Sequence, residues 1–185
     1  MPISYIPSTN RIYFCTFTCY KWLALIQKTN TYSNIYETFN IWNRKGCKII
    51  AYVIMPNHVH FIVYLENPEL DLAKLVSNAK RFLAYEIVKR LKEQREFSLL
   101  SFLQKSVPDY QQNRNKNHQI FFPSFNCKVC ISEEFLIQKL DYIHHNPVSG
   151  KWQLVDDYRL YEHSSAAFYE LDKELPIQLT SYRSL

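Results

Sequence analysis

Two histidines set two residues apart define the chemistry this chain could perform. His58 and His60 lie in the apolar, β-branched run from Tyr52 to Val63. On a strand, residues i and i+2 project from the same side. Both imidazoles can therefore reach one metal ion, while Val59, Phe61, Val63 and Leu65 point the other way into a core. Such a pair on a rigid strand holds a divalent cation without a mobile loop. The same spacing also suits two half-buried side chains that bind nothing.

A second candidate segment runs from Ser132 to Pro147 and reads as a helix. Ser132 is a suitable N-cap, and Glu133 and Glu134 in the first turn complement the helix dipole. Leu136, Leu140 and Ile143 recur at helical spacing and face a core. Pro147 stops the helix. Tyr142 and Asn146, four residues apart, share one face beside that apolar stripe. A phenol and an amide oxygen are thus offered together at a helix end. A surface tyrosine and an asparagine C-cap would give the same pattern.

"MPNHVH", followed downstream by "DYIHHNPV", resembles the single-tyrosine HUH transposases, in particular the REP-associated tyrosine transposases. HUH denotes His, a hydrophobic residue, His: here His58, Val59, His60. The resemblance runs from about Arg11 to Tyr169 and takes in "AKRFLAYEIVKRL" and "YEHSSAAFY". It implies a metal-dependent enzyme that cleaves and rejoins single-stranded DNA near hairpins. Tyr142 would be the nucleophile, forming a 5′-phosphotyrosine link and a free 3′-OH. His58, His60 and Asn146 would hold Mg²⁺ or Mn²⁺, with open positions for phosphate oxygens. A free tyrosine hydroxyl is protonated at neutral pH, so the metal and nearby cations must favour its phenolate character. His144 and His145 stand close enough to move a proton, or serve structure alone. Two other readings remain: a non-catalytic nucleic-acid-binding protein derived from a transposase, and a metal-dependent hydrolase of small phosphoesters.

The elements that must position these groups follow from pattern. Ile12 to Tyr20 has strand character. Thr31 to Trp42 reads as a helix with Ile35, Phe39 and Trp42 on one side, and Asn43 to Gly46 as a turn. Lys48 to Met55 and His58 to Leu65 are strands joined tightly through Pro56 and Asn57. Leu70 to Gln94 is a long helix whose apolar stripe is Leu72, Leu75, Val76, Ala79, Phe82, Leu83, Ile87 and Leu91. Ser106 to Gln119 is a polar loop. Ile120 to Ile131 contains another strand, and the tyrosine helix follows. Strand, helix, strand, strand, helix, strand matches a split βαβ arrangement. The expected class is α+β: a ferredoxin-like core, with an antiparallel sheet and helices on one face. The resemblance implies the same fold.

Composition narrows the function. The formal net charge is +5, and Lys74, Lys80, Arg81, Lys89, Arg90 and Lys92 fall on the long helix. With 16% aromatic residues, this suits single-stranded nucleic acid, whose bases stack and whose phosphates need cations; a solvated helix face over ordinary core aromatics would look alike. Lys80, Arg81, Lys89 and Arg90 are the expected DNA contacts. The only glycines are Gly46 and Gly150, which excludes a glycine-rich phosphate loop. Five cysteines with no secretory context are expected as thiols. Cys127 and Cys130 have zinc half-site spacing, but Cys15 and Cys19 on a strand make poor partners. Absence of a long apolar run argues against a membrane span, and no signal peptide is read. One domain over residues 1–170 with a tail over 171–185 is expected, in the cytoplasm, as a monomer or homodimer bound to single-stranded or hairpin DNA.

Overall fold

The computed structural model describes residues 11–109 and 116–185. Four strands, β1 (Ile12–Thr18), β2 (Cys47–Ile54), β3 (His58–Leu65) and β4 (Asn126–Val129), form a sheet of order β2-β3-β1-β4. Every neighbouring pair is antiparallel. β1 and β2 thus run the same way with β3 between them, the split βαβ pattern expected from the order of elements. Among the described residues the α-helices are α1 (Leu25–Thr29), α2 (Tyr32–Arg44), α3 (Leu72–Glu93), α4 (Phe97–Lys105), α5 (Glu133–His145) and α6 (Ala166–Leu171).

Strand alternation divides the core into two layers. Phe17 of β1 and Val59, Phe61 and Val63 of β3 pack with Ile35 and Phe39 of α2 and Val76, Leu83 and Ile87 of α3. Phe14 of β1 and Ile62 of β3 pack on the opposite face with Leu136, Leu140 and Ile143 of α5. β2 serves both layers through a bulge between Ile49 and Ala51. The extra residue shifts its phase, so Ile49, Tyr52 and Ile54 meet α2 and α3 while Ile50, Ala51 and Val53 meet α5. The two crossover helices lie on one face, as expected, and the tyrosine helix covers the other. His58 and His60 share the face of Ile62 and look towards α5.

Both ends of α5 follow the sequence. Ser132 Oγ accepts the Phe135 N–H at 3.3 Å, and Pro147 sits within the single 3₁₀ turn, Asn146–Val148, that ends the helix. On α3 the stripe is buried except at Leu75, which is half-buried, and Phe82, which is 61% exposed and belongs to the surface; Phe82 lies under the Arg81 guanidinium, 4.8 Å from its ring centre. α4 is an element the polar-loop expectation stopped short of, and residues 110–115 of that loop lie outside the described residues. The C-terminal stretch runs along the free edge of β2. Ile54 N–H donates to His163 O, Ser165 N–H to Tyr52 O and Thr180 N–H to Ile49 O, all at 2.8–2.9 Å. This covers an edge that would otherwise offer unpaired backbone groups. Ile177 is buried in the α2–α3 layer. All five cysteines are free thiols, and Cys15 Sγ lies 3.2 Å from Cys127 Sγ. Among the described residues no helix is long and apolar enough to cross a membrane.

Candidate active site

His58 and His60 begin β3, where Thr18 and Thr16 of β1 stand opposite them in register. Their rings are 4.6 Å apart between centroids. Each is gripped at Nδ1. Thr16 Oγ1 is 2.6 Å from His60 Nδ1, and Asn57 Oδ1 is 2.6 Å from His58 Nδ1. The second contact settles a tautomer. Asn57 Nδ2 donates to Trp22 O at 2.9 Å, so its Oδ1 is the acceptor and His58 Nδ1 carries the proton. The Nε2 lone pair of His58 is then left for a ligand, the usual arrangement behind a metal-binding histidine. Asn57 is itself buried, its carbonyl accepting the Cys19 N–H at 2.8 Å.

α5 brings the remaining groups to the same place. Tyr142 Oη lies 3.5 Å from His60 Nε2, at the limit of a hydrogen bond, and the two rings meet edge to face at 5.1 Å. The Asn146 side chain stands beside His58. Tyr142 is 47% exposed, so its hydroxyl is open to a large substrate while its ring rests on Phe14. Lys139, one turn earlier, holds its ammonium 5.6 Å from the centre of the Tyr142 ring. Sequence reasoning missed Thr16, Asn57 and Lys139. Asn57 stood inside the quoted motif, but nothing in the spacing of types reveals which ring nitrogen an amide will hold.

Burial pushes His58 down to about 4, against the opposing contact from Asn146. Burial, then the neighbouring His58 and Lys139, pushes His60 down to about 3. Both are neutral near pH 7, the form that binds metal. Their orientation and protonation therefore fit a divalent cation. Among the described residues no three His, Cys, Asp or Glu side chains converge; the further polar group beside the histidines is the Asn146 amide. Two imidazoles and one neutral oxygen make a weak, open set, suited to an exchangeable cation rather than a structural zinc.

The other two candidate histidines are held by structure. His144 is buried, with Nε2 3.0 Å from Ser165 Oγ, and burial pushes it down to about 4. His145 Nδ1 meets Asp141 at 3.0 Å, and its ring lies 4.1 Å from that of Tyr158. A consequence for stability follows. Unfolded histidine titrates near pH ~6.5, whereas His58, His60 and His144 resist protonation in the fold down to about 4, 3 and 4. As pH falls, the unfolded chain binds protons first, so the stability these rings contribute is complete above pH ~6.5 and is lost towards pH ~4. At pH ~5 the loss should be about 2 kcal/mol per histidine in metal-free protein. Thermal melting at the two pH values measures it; equal melting temperatures at pH ~7 and pH ~5 would contradict the neutral, buried assignment.

The four expected DNA contacts do not act alike. Lys80 Nζ donates to the carbonyls of Phe122, Pro123 and Ser124 at 2.7–3.2 Å, tying α3 to the segment before β4. Arg90 donates to the carbonyls of Thr29 and Asn30, closing the end of α1, and to Glu86 at 2.7 Å. Arg81 and Lys89 face solvent. All four lie on the far side of the sheet from Tyr142.

The family of IS200-like transposases matches residues 11–106, which include His58 and His60. This chain belongs to that family. The matched stretch ends before Tyr142 and Asn146. A REP-associated tyrosine transposase solved bound to a REP hairpin has the same fold, with a TM-score of 0.57 at 15% identity over 98% of this chain and 93% of that one. A candidate transposase from Deinococcus radiodurans aligns over 77% of this chain and 94% of its own, at 18% identity; its TM-score of 0.34 is too low to bear on the fold. No curated protein matches the sequence. As an IS200-like transposase, the chain belongs with DNA-processing enzymes, and its HUH strand is the part on which the family match and the site geometry coincide.

Proposed function

We propose that this IS200-like transposase nicks and rejoins single-stranded DNA beside a hairpin through a covalent bond to Tyr142. The observation that carries the reading is the approach of Tyr142 Oη to within 3.5 Å of His60 Nε2, between elements far apart in sequence. A divalent cation, Mg²⁺ or Mn²⁺, held by His58, His60 and Asn146 would supply charge relief on the scissile phosphate. Tyr142 Oη attacks phosphorus and gives up its proton, and the P–O3′ bond breaks. The departing oxygen takes a proton and becomes a 3′-OH. One phosphodiester is exchanged for another, so a 3′-OH can attack back and rejoin the strand without ATP. Thr16 and Asn57 keep the two imidazoles oriented. Lys139 places a cation beside the Tyr142 ring.

One chain contains His58, His60, Tyr142 and Asn146 together, which supports a monomer as the active unit over a homodimer that exchanges tyrosines. The REP hairpin carried by the structural relative supports hairpin DNA as substrate. The cytoplasm, where chromosomal DNA is reached, is the compartment this reading requires, and residues 1–170 are its catalytic domain.

The test is covalent trapping. Full-length protein, Mn²⁺ and a hairpin DNA labelled 3′ of the cut should give a denaturant-resistant protein–DNA adduct together with a free 3′-OH fragment. Binding with no adduct and no cut would make the chain a non-catalytic nucleic-acid binder. Cleavage of small phosphoesters without an adduct would make it a hydrolase.

A further inference from the structure

A cavity of about 930 Å³ lies between α3 and residues 116–125, on the face of the sheet away from Tyr142. Its walls carry Arg81, Lys89 and Lys92 along α3, with Tyr85 between them and Phe122 opposite. Tyr85 is 65% exposed, a large ring with little protein cover. Lys89 pairs loosely with Glu86 at 3.9 Å, and its own side chain stays largely in solvent. At the base, burial and then nearby Lys116 push the Lys80 ammonium down to about 8, so it keeps its charge near pH 7. Cations alternating with open aromatic faces are what a single strand needs: charges for phosphates and platforms for bases of any sequence. Paired bases offer no free faces to such platforms.

The groove is also connected to the active site. Phe122 N–H donates to Thr18 O at 3.0 Å, and Thr18 is the register partner of His58. Phe122 lies 5.6 Å from Tyr20, and Trp22 stands edge-on to His58 at 5.7 Å. Trp22 is 55% exposed, and Lys21 between the two rings faces solvent. Lys21 and Trp22 both have positive φ, 49° and 58°, a costly backbone for side-chain-bearing residues. The Asn57 amide, which also holds His58, ties down the Trp22 carbonyl. Aromatic and basic side chains thus run from His58 around the end of the sheet, over Trp22, Lys21, Tyr20 and Phe122, into the groove.

We infer that this groove binds the unpaired strand continuing from the scissile site, with bases stacked on Tyr85 and Phe122 and phosphates on Arg81, Lys89 and Lys92. The inference rests on the nuclease reading for its strand, but not for its binding measurement. Two fluorescent DNA hairpins with the same stem serve as probes, one blunt and one with an about eight-nucleotide single-stranded extension, within the roughly 4–16 nucleotides that single-strand grooves cover. Full-length protein is titrated in EDTA, so nothing is cut. The triple variant Arg81→Ala, Tyr85→Ala, Lys89→Ala, all at exposed positions where alanine suits a helix, should bind the extended hairpin at least about tenfold more weakly, the order set by one lost stacked base. Its affinity for the blunt hairpin should stay within about twofold. Two lost phosphate contacts should flatten the salt dependence for the extended probe by about 1.4 in log–log slope. Tyr85→Phe, which keeps the ring, should bind as the wild type does. Unchanged affinity of the triple variant for the extended hairpin overturns the inference; so does equal weakening for both probes, which would put duplex in the groove. An adduct formed by wild type while the triple variant binds normally removes the groove and leaves the nuclease. Loss of extension-dependent binding with no wild-type adduct keeps the groove and removes the nuclease.

Discussion

The Tyr142→Phe variant should bind hairpin DNA as the wild type does and leave it uncut. The substitution removes one oxygen whose contact is His60 Nε2 at 3.5 Å. The ring keeps its edge-on packing against Phe14 and His60. A change confined to an exposed hydroxyl costs within about 0.5 kcal/mol of stability, so melting and binding serve as controls. Losing the nucleophile removes the covalent route itself, and the cleavage rate should fall by on the order of a thousandfold or more. The denaturant-resistant adduct should disappear with it. A Tyr142→Phe protein that nicks hairpin DNA with the wild-type metal dependence would mean that water or another side chain attacks, and the transposase mechanism would have to be abandoned.

Substitution at His60 should be as damaging for a different reason. His60→Ala removes one of two imidazoles from an already weak donor set, so Mn²⁺-dependent cleavage should fall below detection while DNA binding remains. Thr16→Val is the informative companion. It keeps the shape at Thr16 but deletes the hydroxyl 2.6 Å from His60 Nδ1. Loss of such an orienting contact typically costs about 10–100-fold in metal affinity or activity. Raising Mn²⁺ should therefore restore cleavage in Thr16→Val but not in His60→Ala. Calorimetric titration with Mn²⁺ reads the affinities directly, and circular dichroism checks that the Ala variant, which leaves a cavity beside Phe14, still folds. If His60→Ala cleaves at the wild-type Mn²⁺ concentration, the cation is bound elsewhere.

Local pattern by itself determined the framework. Period-two alternation put His58 and His60 on one face of β3 and Val59, Phe61 and Val63 on the other, because successive side chains on a strand must diverge. Helical spacing put Tyr142 and Asn146 together and buried Leu136, Leu140 and Ile143 beneath them. The order of elements predicted the split βαβ sheet. Local pattern could not say that α2 and α3 would occupy one face and α5 the other, and it placed Phe82 within the apolar stripe although the fold leaves it at the surface.

Only tertiary structure decided which groups meet. Tyr142 reaches His60 because α5 packs on the histidine face, a consequence of three-dimensional docking that no sequence spacing encodes. Long polar side chains were the least legible. Lys80 and Arg90 share a helix and a charge with Arg81 and Lys89, yet folding spends the first two on backbone carbonyls and leaves the others to solvent. The physical reason is range. Periodicity reports which face of an element is apolar, because that depends on neighbours in the chain; the partner of a flexible cation or of an imidazole nitrogen is whatever distant acceptor the completed fold brings within about 3 Å.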